Sequence, residues 1–125
     1  MEISYKIDTK NKVIIETWPK KVSLEDYKKV KLSEFSDIDF NPEYDVITDL
    51  REVNNVFNEN LIEEIIDFMK MNSGKMKNRK SAVVADSPQL VASSLFFGQK
   101  ARKLPVKISV FSSMSATVKW IKEKW

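Results

Sequence analysis

Ser81-Ala82-Val83-Val84-Ala85-Asp86-Ser87-Pro88 is the stretch on which the fold of this chain turns. Its first five residues are small or apolar and carry no charge, the composition of a strand covered on both faces. Its last two join a capping serine to a proline, which sits without loss at the first position of a helix. A buried strand running directly into a helix is half of a βα unit, and such units build sheets with parallel neighbours.

Toward the C-terminus, the helix opened by Ser87 is predicted to reach about residue 103, and residues 106–111 read as a strand. Met114, Thr117, Val118, Ile121 and Trp125 then recur at helical spacing on a final helix. Toward the N-terminus lies the clearest helix. Leu61, Ile62, Ile65, Ile66, Phe68 and Met69 form one stripe, while Glu63, Glu64, Asp67 and Lys70 face water. Asn58 is its expected N-cap, and Gly74 its expected C-terminal glycine.

Residues 45–50 read as a short strand. Before it, Ser23-Leu24-Glu25-Asp26 forms a capping box with Asp in the usual Glu position, opening a helix to about residue 35. Residues 3–9 and 12–18 are β-rich stretches around a turn at Asn11, which predicts an opening hairpin. The order is β-β-α-β-α-β-α-β-α. It implies an α/β protein with one mixed sheet and four helices, in a single domain over residues 1–125 with no repeat or linker.

That order resembles the SpoIIAA-like (STAS) fold of anti-sigma factor antagonists. Particular stretches are similar to those of uncharacterised bacterial STAS-like proteins: the hairpin, Asp45-Val46-Ile47-Thr48-Asp49-Leu50-Arg51-Glu52-Val53, and Ser81 to Pro88. Phe96-Phe97-Gly98, Val110-Phe111, Ala116 and Trp120-Ile121 complete the likeness, which spans nearly the whole chain. The resemblance implies chiefly a fold, with no activity attached. In the antagonists a kinase modifies a serine in an Asp-Ser-Ser-Gly turn after the central strand. The matching position here is Phe57-Asn58-Glu59-Asn60, which holds no hydroxyl, so a phosphorylation-driven partner switch at this turn is not expected.

Composition narrows the function classes. The chain has no cysteine and no histidine, so thiolate chemistry, disulfides, the commonest metal ligands and the commonest general base are all missing. Catalysis would rest on Asp, Glu, Lys, Tyr or Ser, and no catalytic residue, metal site or cofactor is expected. Ser87 has no histidine to activate it and reads as a helix cap. Asp49, Arg51 and Glu52 are neighbours in sequence and read as an ion pair or exposed charges. Gly74 and Gly98 stand alone, without the clustered glycines of a phosphate-binding loop. The start carries no basic-then-apolar leader and no apolar run is long enough to span a bilayer, so a cytoplasmic location without membrane insertion is expected.

The net charge of +3 is small, and the basic stretch Lys75, Lys77, Arg79 and Lys80 lacks interleaved aromatics. It reads as a solvated loop, with no nucleic-acid partner. Two sets of candidate site residues remain. Arg51, Asn54, Asn55 and Asn58 lie beyond a strand's carboxyl end, where open α/β sheets bind ligands, and are expected to bind a ligand or partner. Helix capping and turn geometry are their structural alternative. Leu95, Phe96, Phe97 and Trp120 exceed what one packing face can hold and predict an apolar contact surface. The leading expectation is a non-enzymatic regulatory module that acts by protein–protein contact, as a homodimer or with a protein partner. The alternative is a small-molecule or lipid carrier, by analogy with lipid-transfer domains of similar fold, with an apolar pocket near the third and fourth helices.

Overall fold

The hairpin forms as the alternation predicts. In the computed structural model, which describes residues 2–55 and 57–123, β1 (Ser4–Asp8) pairs antiparallel with β2 (Val13–Thr17). The turn closes with Asp8 accepting from the Asn11 backbone and side chain, and with Lys12 in the left-handed region at φ 57. There follow α1 (Leu24–Ser36), β3 (Asp45–Asp49), α2 (Glu59–Met71), β4 (Arg79–Val84), α3 (Pro88–Lys100), β5 (Val106–Phe111) and α4 (Met114–Lys122). Trp125, expected on the last helical stripe, lies outside the described residues.

The five strands lie in sequence order β1-β2-β3-β4-β5, and every pair after the hairpin is parallel. Each parallel step therefore needs a crossover, and α1, α2 and α3 supply them. Right-handed crossovers that all step in one direction place their helices on one face of the sheet. The core clusters agree. Tyr27, Ile65, Met69 and Leu90 from those helices pack with Trp18 and Val83, whereas Val13, Ile47, Ala82 and Val84 point the other way. The second face is covered by α4, through Met114, Trp120 and Ile121.

Local chemistry sets the helix starts. Ser23, Asn58, Ser87 and Ser113 each accept from a backbone N–H one turn into their helix, and Ser23 with Asp26 completes the expected capping box. The ends depart from expectation. Helix α2 stops at Met71, where the Asn72 amide donates to the Phe68 carbonyl at 2.9 Å. Gly74 falls in a short 3-10 turn (Ser73–Lys75) and has no positive φ, so it is not the left-handed cap that was expected. Helix α3 ends at Lys100, three residues early, because the chain turns at Ala101 ahead of Pro105.

The basic stretch before β4 needs a larger correction. Lys75 and Lys77 are exposed, but Arg79 and Lys80 begin the strand and are buried. Strand alternation sends them to opposite faces. Lys80 lies beneath α4, where its ammonium donates to the carbonyl of Trp120 at 2.8 Å and to that of Glu123, 5.1 Å from the Trp120 ring centroid. It thus satisfies carbonyls at a helix C-terminus, where a cation is favourable. Arg79 faces the other three helices.

Candidate functional site

The helix-covered face of the sheet carries a charged cluster that apolar patterning does not anticipate. Alternation places Ile14 and Glu16 of β2, Val46 and Thr48 of β3, and Arg79, Ser81 and Val83 of β4 on that face. Helix α1 turns Tyr27, Val30, Lys31 and Glu34 toward them, at i, i+3, i+4 and i+7. Four ionisable side chains consequently lie in the core: Glu16 at 1% exposure, Glu34 at 0%, Arg79 at 4%, and Lys31, also buried.

Three of the four bind one another. Lys31 Nζ lies 2.6 Å from Glu16 Oε2 and 3.4 Å from Glu34 Oε1, and the Trp18 indole N–H donates to Glu16 Oε1 at 3.0 Å. Burial alone would raise the Glu16 pKa, but the Lys31 charge and hydrogen bonds from Glu34, Lys31 and Trp18 outweigh it and hold the group at about 2. Burial pushes Glu34 up to about 9, reinforced by the neighbouring Glu16 charge, against the pull of Lys31. Glu34 Oε2 faces no donor. A proton on Glu34 answers that vacancy, because the group then donates to Glu16. At neutral pH the cluster holds Glu16 as an anion, Lys31 as its partner cation and Glu34 as a neutral acid.

Arg79 is left over. Its Nε and Nη1 are buried and meet no acceptor. Burial lowers its pKa, opposed by the more distant fields of Glu34 and Glu16, yet a guanidinium stays charged in a protein. With Glu34 neutral, the cluster carries one positive charge in excess.

Beside it lies a cavity of about 80 Å³ between the sheet and α1, α2 and α3. A single water needs only about 10–15 Å³. Glu16, Lys31 and Arg79 form its polar side, while Leu50, Ile62, Ile65, Met69 and Phe97 form its apolar side. Thr48 and Ser81 sit mid-strand beneath three helices, yet both retain accessible surface because the space above them is not filled. The pocket expected near α3 and α4 is therefore displaced. Helix α3 does contribute, through Ser93, Ser94 and Phe97, but α4 lies on the opposite face. Glu34 does not reach the cavity wall, so its proton sets the charge of the site without touching its contents.

The first set of sequence candidates lies outside this cavity. Arg51 binds Asp49 through Nε at 3.0 Å and Nη2 at 2.9 Å, which agrees with the ion pair read from sequence. Asn58 caps α2, and Asn55 Oδ1 accepts from the Val22 backbone at 3.3 Å, tying together the loops that precede α1 and α2. The Asn54 side chain is exposed, and its backbone N–H donates to the Lys20 carbonyl.

The second set is divided between the two faces. Phe97 lines the cavity, Phe96 packs in the cluster that joins α2 to α3, and Trp120 packs on Phe111 at 5.5 Å beneath α4. Leu95, at 59% exposure, is the one of the four that is open to solvent. Sequence reasoning passed over Glu16, Lys31, Glu34 and Arg79. A signal for two of them was present, since Lys31 and Glu34 continue the stripe begun by Tyr27 and Val30.

The two carboxyl groups give opposite pH dependences. Glu34 rises from 4.5 to about 9 on folding, so the folded state holds a proton that the unfolded state has released. Its contribution therefore declines as pH climbs from 4.5 toward 9, by at most about 1.4 kcal/mol per pH unit. Glu16 falls to about 2, so its contribution is full above 4.5 and is lost as pH drops toward 2. Glu34→Gln keeps the shape of the neutral acid and cannot ionise. In urea unfolding the variant is expected to exceed wild type at pH 8–9, with the advantage closing toward pH 4.5; parallel pH profiles would contradict this assignment of the proton.

Among the described residues no helix is long and apolar enough to cross a membrane, and no group of three or more acidic side chains is placed to hold a metal. No family model and no curated protein matches the sequence. Among solved structures, the chain is similar to the crystal structure of an uncharacterized protein of the DUF3478 family with a SpoIIAA-like fold, from Shewanella loihica. The identity is 14%, with 96% of this chain and 94% of that one covered at a TM-score of 0.66. At that identity the likeness speaks for the backbone arrangement, and it agrees with the element order read from the sequence. The chain has the SpoIIAA-like fold.

Proposed function

We infer that this chain is a non-enzymatic binding module whose ligand is a small molecule held in the cavity between the sheet and α1–α3. The observation that carries this reading is a pocket of about 80 Å³ on the helix-covered side of the sheet, with both apolar and charged walls. Protein interiors rarely leave voids larger than a water, and a void with both an apolar and a charged wall has the make-up of a ligand pocket. Two of the hydroxyls that line it support binding over catalysis. Ser93 and Ser94 donate to the carbonyls of Phe57 and Leu90, and no base stands ready to activate either.

Filling the cavity from the sheet side tests the reading. Ser81→Val adds bulk to the cavity floor and suits a central strand. It is expected to raise stability by about 0.5–2 kcal/mol, as cavity-filling changes do. It is also expected to remove the stabilisation that a small apolar probe, 1-butanol, gives wild type in thermal unfolding. A variant that loses stability while keeping that response would count against the cavity as the site.

Leu95 favours a second reading, a regulatory module that pairs with another copy of itself through the outer face of α3. One exposed leucine is ordinary on a protein surface, and the cavity carries more weight. Sedimentation of wild type against Leu95→Glu decides it: the reading needs a wild-type dimer that the glutamate dissociates.

A further inference from the structure

We propose that the cavity takes a small monocarboxylate, its charged end on the guanidinium of Arg79 and its short apolar tail among the residues of α2 and α3. This rests on the cavity being the binding site and adds the chemistry of the ligand.

Geometry is the first argument. Arg79 forms part of the cavity wall and is nine-tenths buried or more, with Nε and Nη1 lacking any acceptor. Nearly every buried donor in a folded protein has a partner, and a guanidinium with two idle nitrogens is a costly exception. Neither internal carboxyl group lies within hydrogen-bond distance of Nε or Nη1: Glu16 is held by Lys31 and Trp18, and Glu34 reaches Lys31 through Oε1. A carboxylate is planar, carries four lone pairs and is the natural partner for a guanidinium.

Charge is the second. With Glu16 paired to Lys31 and Glu34 holding its proton, one positive charge remains uncompensated, and a single anion completes the balance. A dianion such as a phosphate monoester would leave one negative charge in excess.

Size is the third. The cavity holds about 80 Å³, roughly half of the ~150 Å³ that admits benzene in an engineered core. On that scale it encloses about three to four non-hydrogen atoms, the carboxylate and the start of the tail. Because the pocket opens to solvent, a four-carbon acid fits with its tail end toward the mouth. The apolar side offers Ile62, Ile65, Met69 and Phe97, which suit an aliphatic tail and provide nothing for a second polar group.

The test compares butyrate with butyramide, which has the same shape and no charge. Both are titrated by NMR into the intact protein, into Arg79→Met and into Arg79→Lys. Wild type is expected to prefer butyrate by about tenfold, the difference between a charge-assisted and a neutral hydrogen bond. Arg79→Met is expected to bind butyramide as before and to lose the preference, while Arg79→Lys keeps part of it. Equal binding of acid and amide by wild type overturns the proposal and leaves the cavity as a neutral site. A preference that survives in Arg79→Met also overturns it, since the charge read is then another one. If neither probe binds, the cavity reading falls along with the proposal.

Discussion

Lys31→Met is expected to lower the unfolding free energy by about 3–5 kcal/mol at pH 7, measured by urea denaturation. The side chain it replaces is buried, and its ammonium lies 2.6 Å from Glu16 Oε2. Methionine reproduces the lysine stem as far as Cε, so packing changes little and the loss is chiefly electrostatic. What remains is the Glu16 carboxylate, buried, with Trp18 and Glu34 as its donors and no cation bonded to it. A buried ionised group left without its counter-ion is far more costly than the net worth of the pair it came from. The double change Glu16→Leu with Lys31→Leu is therefore expected to recover most of the loss, because it removes both charges together. A loss below about 1 kcal/mol in Lys31→Met would place the pair in solvent, contrary to its burial.

Arg79→Met is expected to act in the opposite sense and raise stability by about 1–4 kcal/mol in the same measurement. Arg79 brings a charge into the core and bonds with neither Nε nor Nη1, so removing the head group relieves a desolvation that the fields of Glu34 and Glu16 offset only in part. The methylene stem is largely reproduced by methionine, which keeps its contacts. A residue that weakens the fold and lines a cavity is the usual sign of stability given up for binding. Should Arg79→Met destabilise the protein by as much as Lys31→Met, the guanidinium has a structural partner and its role in the cavity is excluded. The two predictions oppose each other although both remove a buried cation, and that contrast isolates the partner, not the charge, as the deciding factor.

The element order was legible because it depends on periodicity, which local sequence carries directly. Ser81 to Ala85 could be read as a doubly covered strand, and Leu61 to Met69 as an amphipathic helix, without knowledge of any neighbour. Caps at Ser23, Asn58 and Ser87 were legible for the same reason, since each acts within one turn of itself. The charged cluster was not. Lys31 and Glu34 resemble ordinary surface charges on a helix, and Glu16 an ordinary polar position on a strand. Each is buried because the other two are there, and those partners are 15 and 18 residues away from Glu16 along the chain.

In sequence Arg79 and Lys80 resemble a solvated loop, since basic residues beside Lys75 and Lys77 look like more of the same. They differ because the register places Arg79 opposite Val106 and draws it into the sheet. The cavity was least legible of all. It is the space left by side chains from four strands, three helices and their loops, and no local pattern encodes a residual volume. The cavity shares only α3 with the apolar pocket expected near α3 and α4 and has a charged wall besides; nothing in the sequence shows that three same-direction crossovers send α1–α3 to one face and leave α4 the other.

The most direct test of the account is a methyl NMR titration of the intact protein with butyrate. Val46, Leu50, Ile62, Ile65 and Val83 border the cavity, whereas Val13, Ile47 and Val84 point to the α4 face of the same sheet. The account predicts saturable shifts confined to the first group, with the second unmoved and serving as an internal control. Shifts spread over both faces, or none at millimolar ligand, would contradict it and make the cavity a packing defect.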